Sequence, residues 1–161
     1  WAPHRMSYLE GENRPLTSNE IECPFCRIAA LDDAEALIVA RGKEAYVVMN
    51  LYPYNAGHLL VCTNRHVAEL PELTESERNE VQSLTAQGMK VLRKVSNASG
   101  FNIGINQGDV SGAGIAGHFH QHIVPRWAGD ANFMPIIGKT KVIPKLLQES
   151  REQLATGWNQ I

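Results

Sequence analysis

The chain of 161 residues carries 15 basic and 17 acidic side chains, a net charge of -2 with neutral histidines, and an ordinary globular composition. That length suffices for one proper core, and neither a basic block nor an apolar run of roughly 20 residues points to nucleic acid or a membrane. No secretory signal pattern opens the chain, and three cysteines are an odd number too sparse for a secreted disulfide framework, so a cytoplasmic protein is expected.

The chain begins on Trp1 rather than Met, so some N-terminal sequence is expected to be missing. Residues 1–20 read as a polar arm that either docks through Trp1, Met6, Tyr8 and Leu9 on a second subunit or stays mobile. Residues 21–161 read as a single domain. Cys23-Pro24-Phe25-Cys26 precedes a short helical stretch from Arg27. A lone CxxC leaves half a zinc site, a redox pair or neither open, and no βαβ context supports the redox pair. Strand composition at 37–40 and 45–49 flanks a turn at Arg41-Gly42-Lys43-Glu44, and a third strand at 57–62 follows a loop with Pro53. Such a meander predicts an antiparallel sheet.

Thr74 and Glu77 form a capping-box pattern ahead of Val81, Leu84, Val91 or Leu92, and Val95, which predicts a helix over about 75–96. Residues 101–106 alternate as a fourth strand. A loop at 107–117 holds Gly108, Gly112, Gly114 and Gly117. After a polar connection over 127–138, Leu146, Leu147 and Leu154 mark a last helix from Lys145 to Trp158, with Pro144 near its first turn.

His118, His120 and His122 stand at every second position just after the glycine loop. A strand turns all three rings to one face, about 6.5–7 Å apart, and sends Phe119 and Ile123 to a core. A helix would scatter them in steps of ~200°. Pro125, with no N–H to give, is expected to end the ladder. Such a row serves as a satisfied polar face, a metal site, or a set for covalent chemistry at phosphorus. The loop favours phosphorus: its glycines let backbone N–H groups close on an anion, and Ser111 and Asn106 add donors. No P-loop pattern occurs. Trp127 is placed either to stack on a nucleobase or to pack.

The stretch from His118 to Val124 resembles the His-x-His-x-His-x-x motif of the histidine triad (HIT) family. CPFC from Cys23, NLYPYNAGHLLV from Asn50, NRHVAEL from Asn64 and INQG from Ile105 fall in the order seen in bacterial members. The resemblance therefore covers most of residues 20–140. VPRWAGDANFMP from Val124 and the arm WAPHRM look closest to the branch that splits diadenosine tetraphosphate with phosphate into ADP and ATP.

The resemblance implies an α+β fold, a five-stranded antiparallel sheet with two main helices, in a homodimer or higher homo-oligomer. It implies a nucleotidyltransferase acting on adenine nucleotides and diadenosine polyphosphates, with inorganic phosphate as acceptor and no cofactor required for the chemistry. His120 would be the nucleophile at the α-phosphorus, His122 a phosphate contact, and His118 a strand support or a metal ligand. Asn106, Ser111 and the amides around Gly112, Ala113 and Gly114 would hold phosphate. Asn50 would hold the ribose hydroxyls, where an acidic residue is usual in the family, and Met49 and Leu51 would line the base pocket.

Two positions depart from the pattern. Gln121 replaces an apolar residue between two histidines. A second loop serine near Gly114, found in some phosphorolytic relatives, is absent, which leaves water as the competing acceptor. A polyphosphate hydrolase or phosphoramidase, and a nucleotide-binding scaffold with weak catalysis, are the alternatives. The resemblance further implies structural zinc on Cys23, Cys26, His66 and His118; two reduced cysteines in a small core are the other reading. His58 is expected to hydrogen-bond within the sheet, and His4 to have no special role.

Overall fold

Strands of period two and helices of period 3.6 leave each element one apolar face to bury. The computed structural model describes residues 23–130 and 146–161. In chain order these form α1 (Pro24–Ala29), β1 (Ile38–Arg41), β2 (Ala45–Met49), β3 (Leu59–Thr63), α2 (Glu75–Ser96), β4 (Gly100–Gly104), β5 (His120–Arg126) and α3 (Leu147–Trp158). The arm of residues 1–20, positions 131–138 of the polar connection, and the expected helix start at Lys145 lie outside the described residues.

The strands form one sheet in the order β1-β2-β3-β5-β4, antiparallel throughout, the five-stranded sheet that the resemblance implies. The histidine strand β5 thus lies inside the sheet, and β4 covers its far side. Helix α2 spans the residues that spacing predicts, with Val81, Leu84, Val91 and Leu92 buried. It lies close behind β5: a Cβ built on Gly88 would stand 3.1 Å from Ile123 and 3.6 Å from Leu59, so a larger residue there would push the helix off the strand. Gln121 on this same helix-side face is also buried. Its amide donates to Thr85 Oγ1 at 2.8 Å and its carbonyl accepts from Gln82 at 3.1 Å. The departure from an apolar residue is therefore satisfied by α2, as a buried amide must be.

Two expectations are corrected. Helix α1 begins at Pro24, inside the CxxC, and not at Arg27. Proline fits the first helical position, whose N–H has no partner in the helix. The ladder also runs through Pro125, which pairs with Phe101. Arg126 turns its carbonyl to the β4 side, where Ser99 N–H donates at 2.9 Å. Pro125 therefore turns its peptide edge to the β3 side, beyond the last β3 pair, Leu59 with Ile123. No strand waits there for the missing N–H, and Asn55 Nδ2 donates to the Pro125 carbonyl at 3.1 Å.

The expected capping box is present: Glu77 N–H donates to Thr74 Oγ1 at 3.2 Å and Thr74 N–H to Glu77 Oε2 at 2.7 Å. The same buried carboxylate takes a fork from Arg65, 2.9 Å to Oε1 and 2.8 Å to Oε2. Chiefly the Arg65 hydrogen bond, aided by the N-cap bonds, holds the Glu77 carboxyl at about 2 against an ordinary 4.5. A depressed carboxyl stabilises the fold fully above its unfolded value and loses that contribution as pH falls toward the folded one. Glu77→Gln should therefore cost about 1–3 kcal/mol at neutral pH. In urea titrations the gap from wild type should narrow as pH falls from about 4.5 to about 2. A gap independent of pH would contradict this assignment.

Candidate functional site

Parity along β5 splits the sheet into two faces. Phe119, Gln121 and Ile123 face α2, and His118, His120 and His122 face the other way, together with Leu60 and Cys62 by cross-strand register. The three rings are not equivalent. His120 Nδ1–H donates to the His118 carbonyl at 2.8 Å. A carbonyl only accepts, so this bond places the proton on Nδ1 and leaves the lone pair on Nε2. Burial lowers the His120 pKa, against the opposing effect of that carbonyl bond, and favours the neutral ring. A neutral imidazole with a free Nε2 lone pair is the form that can attack phosphorus.

His122 lies 5.1 Å from His120 between ring centroids, closer than the strand repeat because the rings meet edge to face at 66°. Its Nδ1 is 2.9 Å from Nε2 of the fully buried His58. The Tyr54 backbone N–H donates to His58 Nδ1 at 3.0 Å. His58 therefore carries its proton on Nε2 and donates it to His122 Nδ1, which puts the His122 proton on Nε2. The site thus pairs a ring with a bare Nε2, His120, with a ring that bears a proton at Nε2, His122.

His118 turns aside from this pair. Its Nε2–H donates to the Thr63 carbonyl at 2.8 Å. Its Nδ1 sits 3.3 Å from Cys23 Sγ and 3.4 Å from Cys26 Sγ. His66 Nδ1 lies 3.3 Å from Cys26 Sγ. Cys23 and Cys26 occupy the N-cap and third positions of α1, so one helical turn brings both thiols to the same end of the helix. The four ligand atoms fall within 4.8 Å of one another. Tetrahedral zinc spaces its sulfur and nitrogen donors about 3.5 Å apart, so the cluster fits such an ion. Burial lowers the His118 pKa to about 4, which keeps the ring in the neutral form that ligates.

The remaining expected residues scatter by parity and by loop. Met49 pairs with Leu59 and is buried on the helix face, so it does not line a pocket on the histidine face. Leu51 lies past the end of β2 and is 60% exposed. Asn50 accepts the Tyr52 N–H at 2.9 Å and sets its amide 3.3 Å from His58 Nδ1. Gly104 pairs with His122, so the chain leaving β4 through Asn106 runs alongside the histidine strand. Ser111 donates its hydroxyl proton to the Gly108 carbonyl at 2.8 Å instead of presenting it to an anion. Gly112 takes a left-handed conformation with φ of 80°, and Ala113 is buried. Gly114 follows in the same loop.

Of the two roles open to Trp127, packing is the one seen within this chain. Parity puts it on the helix face, about 23 Å along the strand from His120. Its indole N–H donates to the Ser96 carbonyl at 3.0 Å. Three participants escape sequence reading: the pairing of His58 with His122, Tyr54 above both, and Phe25, whose ring lies 5.0 Å from His120 and 5.5 Å from His118. His58 shares the parity of Leu60 and Cys62, which was a usable signal once the register of β3 on β5 is known.

Comparison with known proteins is consistent with this site. A family model described as HIT domain matches residues 32–129. The chain is 48% identical over 161 residues, 98% of its length and 83% of the relative's, to a Mycobacterium tuberculosis protein named AP-4-A phosphorylase. It is 38% identical over 90 residues, 56% of this chain and 49% of the relative, to the asymmetrical bis(5'-nucleosyl)-tetraphosphatase of Schizosaccharomyces pombe. A crystal structure of a zinc-bound histidine triad family protein from Mycobacterium smegmatis shares the fold, with a TM-score of 0.72 at 22% identity over 88% of this chain and 96% of that one. Among the described residues no helix is long and apolar enough to cross a membrane.

Proposed function

The chain belongs to the histidine triad family, and on that premise we propose that it phosphorolyses diadenosine polyphosphates, converting diadenosine tetraphosphate and phosphate to ADP and ATP. The observation that carries the chemistry is the His120 Nδ1–H bond to the His118 carbonyl, which leaves a neutral ring with a lone pair on Nε2. Identity of 48% along 98% of the chain to a protein named AP-4-A phosphorylase carries the substrate.

In the first step His120 Nε2 forms a bond to the α-phosphorus, and the bond from that phosphorus to its bridging oxygen breaks. ATP leaves, and AMP remains on the ring. The ring gains positive charge as the N–P bond forms, and the His118 carbonyl, already accepting the Nδ1 proton, stabilises that charge. His122 offers its Nε2–H to the phosphoryl oxygens. In the second step a phosphate oxygen attacks the same phosphorus, the N–P bond breaks, ADP departs, and His120 returns to its neutral form. Water in place of phosphate would give AMP. Asn106 and the backbone amides around Gly112 to Gly114 hold the phosphate groups, and Asn50 and Leu51 receive the nucleoside.

Cys23, Cys26, His66 and His118 would hold one zinc ion. A closed set of four protein ligands is structural. Its contribution is to fix α1, the His66 segment and the start of the histidine strand together.

Three measurements test this reading. With diadenosine tetraphosphate and labelled inorganic phosphate, the label should appear at the β-position of ADP, with ATP formed in equal amount. AMP with unlabelled products would show water as acceptor. His120→Ala should lose the covalent adenylyl-enzyme and reduce turnover on the order of 10³-fold or more. Elemental analysis of the purified chain should find about one zinc per chain, lost in Cys26→Ser together with a fall in melting temperature. A zinc-free wild-type chain of unchanged stability would refute the metal assignment.

A further inference from the structure

We propose that Tyr54 is a positioning residue for His122, holding the His58–His122 pair in one tautomer and one orientation through its backbone N–H and its ring. The proposal rests on the reading of His122 as the ring that offers a proton to the phosphate.

Two contacts of different kinds converge from this one residue. The Tyr54 N–H donates to His58 Nδ1 at 3.0 Å. A backbone amide cannot reverse its role as a hydroxyl or a second imidazole can, so the direction of the His58–His122 bond is fixed from its outer end. The phenol ring then lies offset and nearly parallel to His122, 13° apart with centroids separated by 5.5 Å, and tilted over His58 at 4.7 Å. A flip of the His122 ring would exchange Nδ1 for a carbon and break the 2.9 Å bond to His58. A flat ring laid against His122 opposes that flip.

The loop carrying Tyr54 is built to hold it there. Asn50 N–H donates to the His58 carbonyl at 2.9 Å and His58 N–H to the Asn55 carbonyl at 3.2 Å, so the segment closes on His58 from both sides. Asn55 Nδ2 reaches the Pro125 carbonyl at 3.1 Å and Asp130 Oδ2 at 2.8 Å, which ties the loop to the end of β5. Pro53, next to Tyr54, is buried. The ring is therefore a fixed wall beside His122 on a loop anchored to the same strand.

Substituting the side chain removes the ring and keeps the N–H, so the two contacts separate. In the full chain labelled with 15N-histidine, without substrate, long-range 1H–15N correlation should show His58 and His122 protonated on Nε2 and His120 on Nδ1. In Tyr54→Leu, His58 should keep its tautomer while His122 moves to a mixture of the two. Tyr54→Phe should match wild type at all three rings. With diadenosine tetraphosphate and phosphate, kcat of Tyr54→Leu should fall about 10-fold or more with KM changed less than about twofold, and Tyr54→Phe should restore it. Tyr54→Gln carries the same expectations should the Leu variant not fold by circular dichroism. A wild-type His122 spectrum and wild-type kcat in Tyr54→Leu would overturn the proposal, as would equal losses in Tyr54→Leu and Tyr54→Phe. Absence of turnover in the wild type would sink the functional reading alone, because the ring spectra decide the role of Tyr54 without substrate.

Discussion

The carbonyl of His118 accepts the Nδ1 proton of His120 at 2.8 Å, and the division of labour in the site follows from that bond. It leaves the lone pair on Nε2 of the next ring, the nitrogen proposed to attack phosphorus, and it requires the His118 backbone to be held still. The His118 side chain meets that requirement by pointing the other way, with its Nε2–H on Thr63 and its Nδ1 between two sulfurs. One residue thus serves the proposed metal cluster with its ring and the proposed nucleophile with its backbone. A buried ring that donates on one side and meets two sulfurs on the other has no freedom left to reorient.

Supports for this bond come from three directions. Behind β5, Gln121 reaches Gln82 and Thr85 on α2, so the peptide between the two site histidines is tied to the longest helix. Beside it, Glu77 closes the cap of α2 and grips Arg65, the residue before His66. The cap therefore bears on the placement of His66, one of the four clustered side chains, as well as on helix stability. From above, the loop through Tyr54 closes over His58 and His122. Each support joins a local rule, a cap, a buried amide or a turn, to the placement of one ring.

Much of this was legible in the chain because it depends on short-range periods. The capping box at Thr74 and Glu77 and the spacing of Val81, Leu84 and Val91 mark α2, and alternation marks the strands. The fixed order His118, Phe119, His120, Gln121, His122 puts three rings on one face whatever the rest of the fold does. Register is another matter. That Leu59 pairs with both Met49 and Ile123 decides that Met49 faces the helices, and no local pattern contains that information. Pro125 depends on the same information: whether a missing N–H matters is decided by where the neighbouring strand stops. Tautomers lay furthest from reach, since they follow from chains of hydrogen bonds between residues 64 apart, as for His58 and His122.

The family match begins at residue 32, and Cys23, Phe25 and Cys26 lie before it. All three rings of the triad are inside the match, yet the atoms that hold His118 away from the phosphate side are partly outside it. Phe25 reaches further, lying against both His118 and His120. Its own carbonyl accepts the Tyr46 hydroxyl at 2.9 Å, which fastens α1 to the first half of β2. The triad motif therefore specifies where three rings point, but the separation of His118, set against two sulfurs, from His120 depends on a six-residue helix delivered from upstream. A chain with the same triad and no such helix would leave His118 Nδ1 without its sulfurs, and the ring would have to find a different partner on that face.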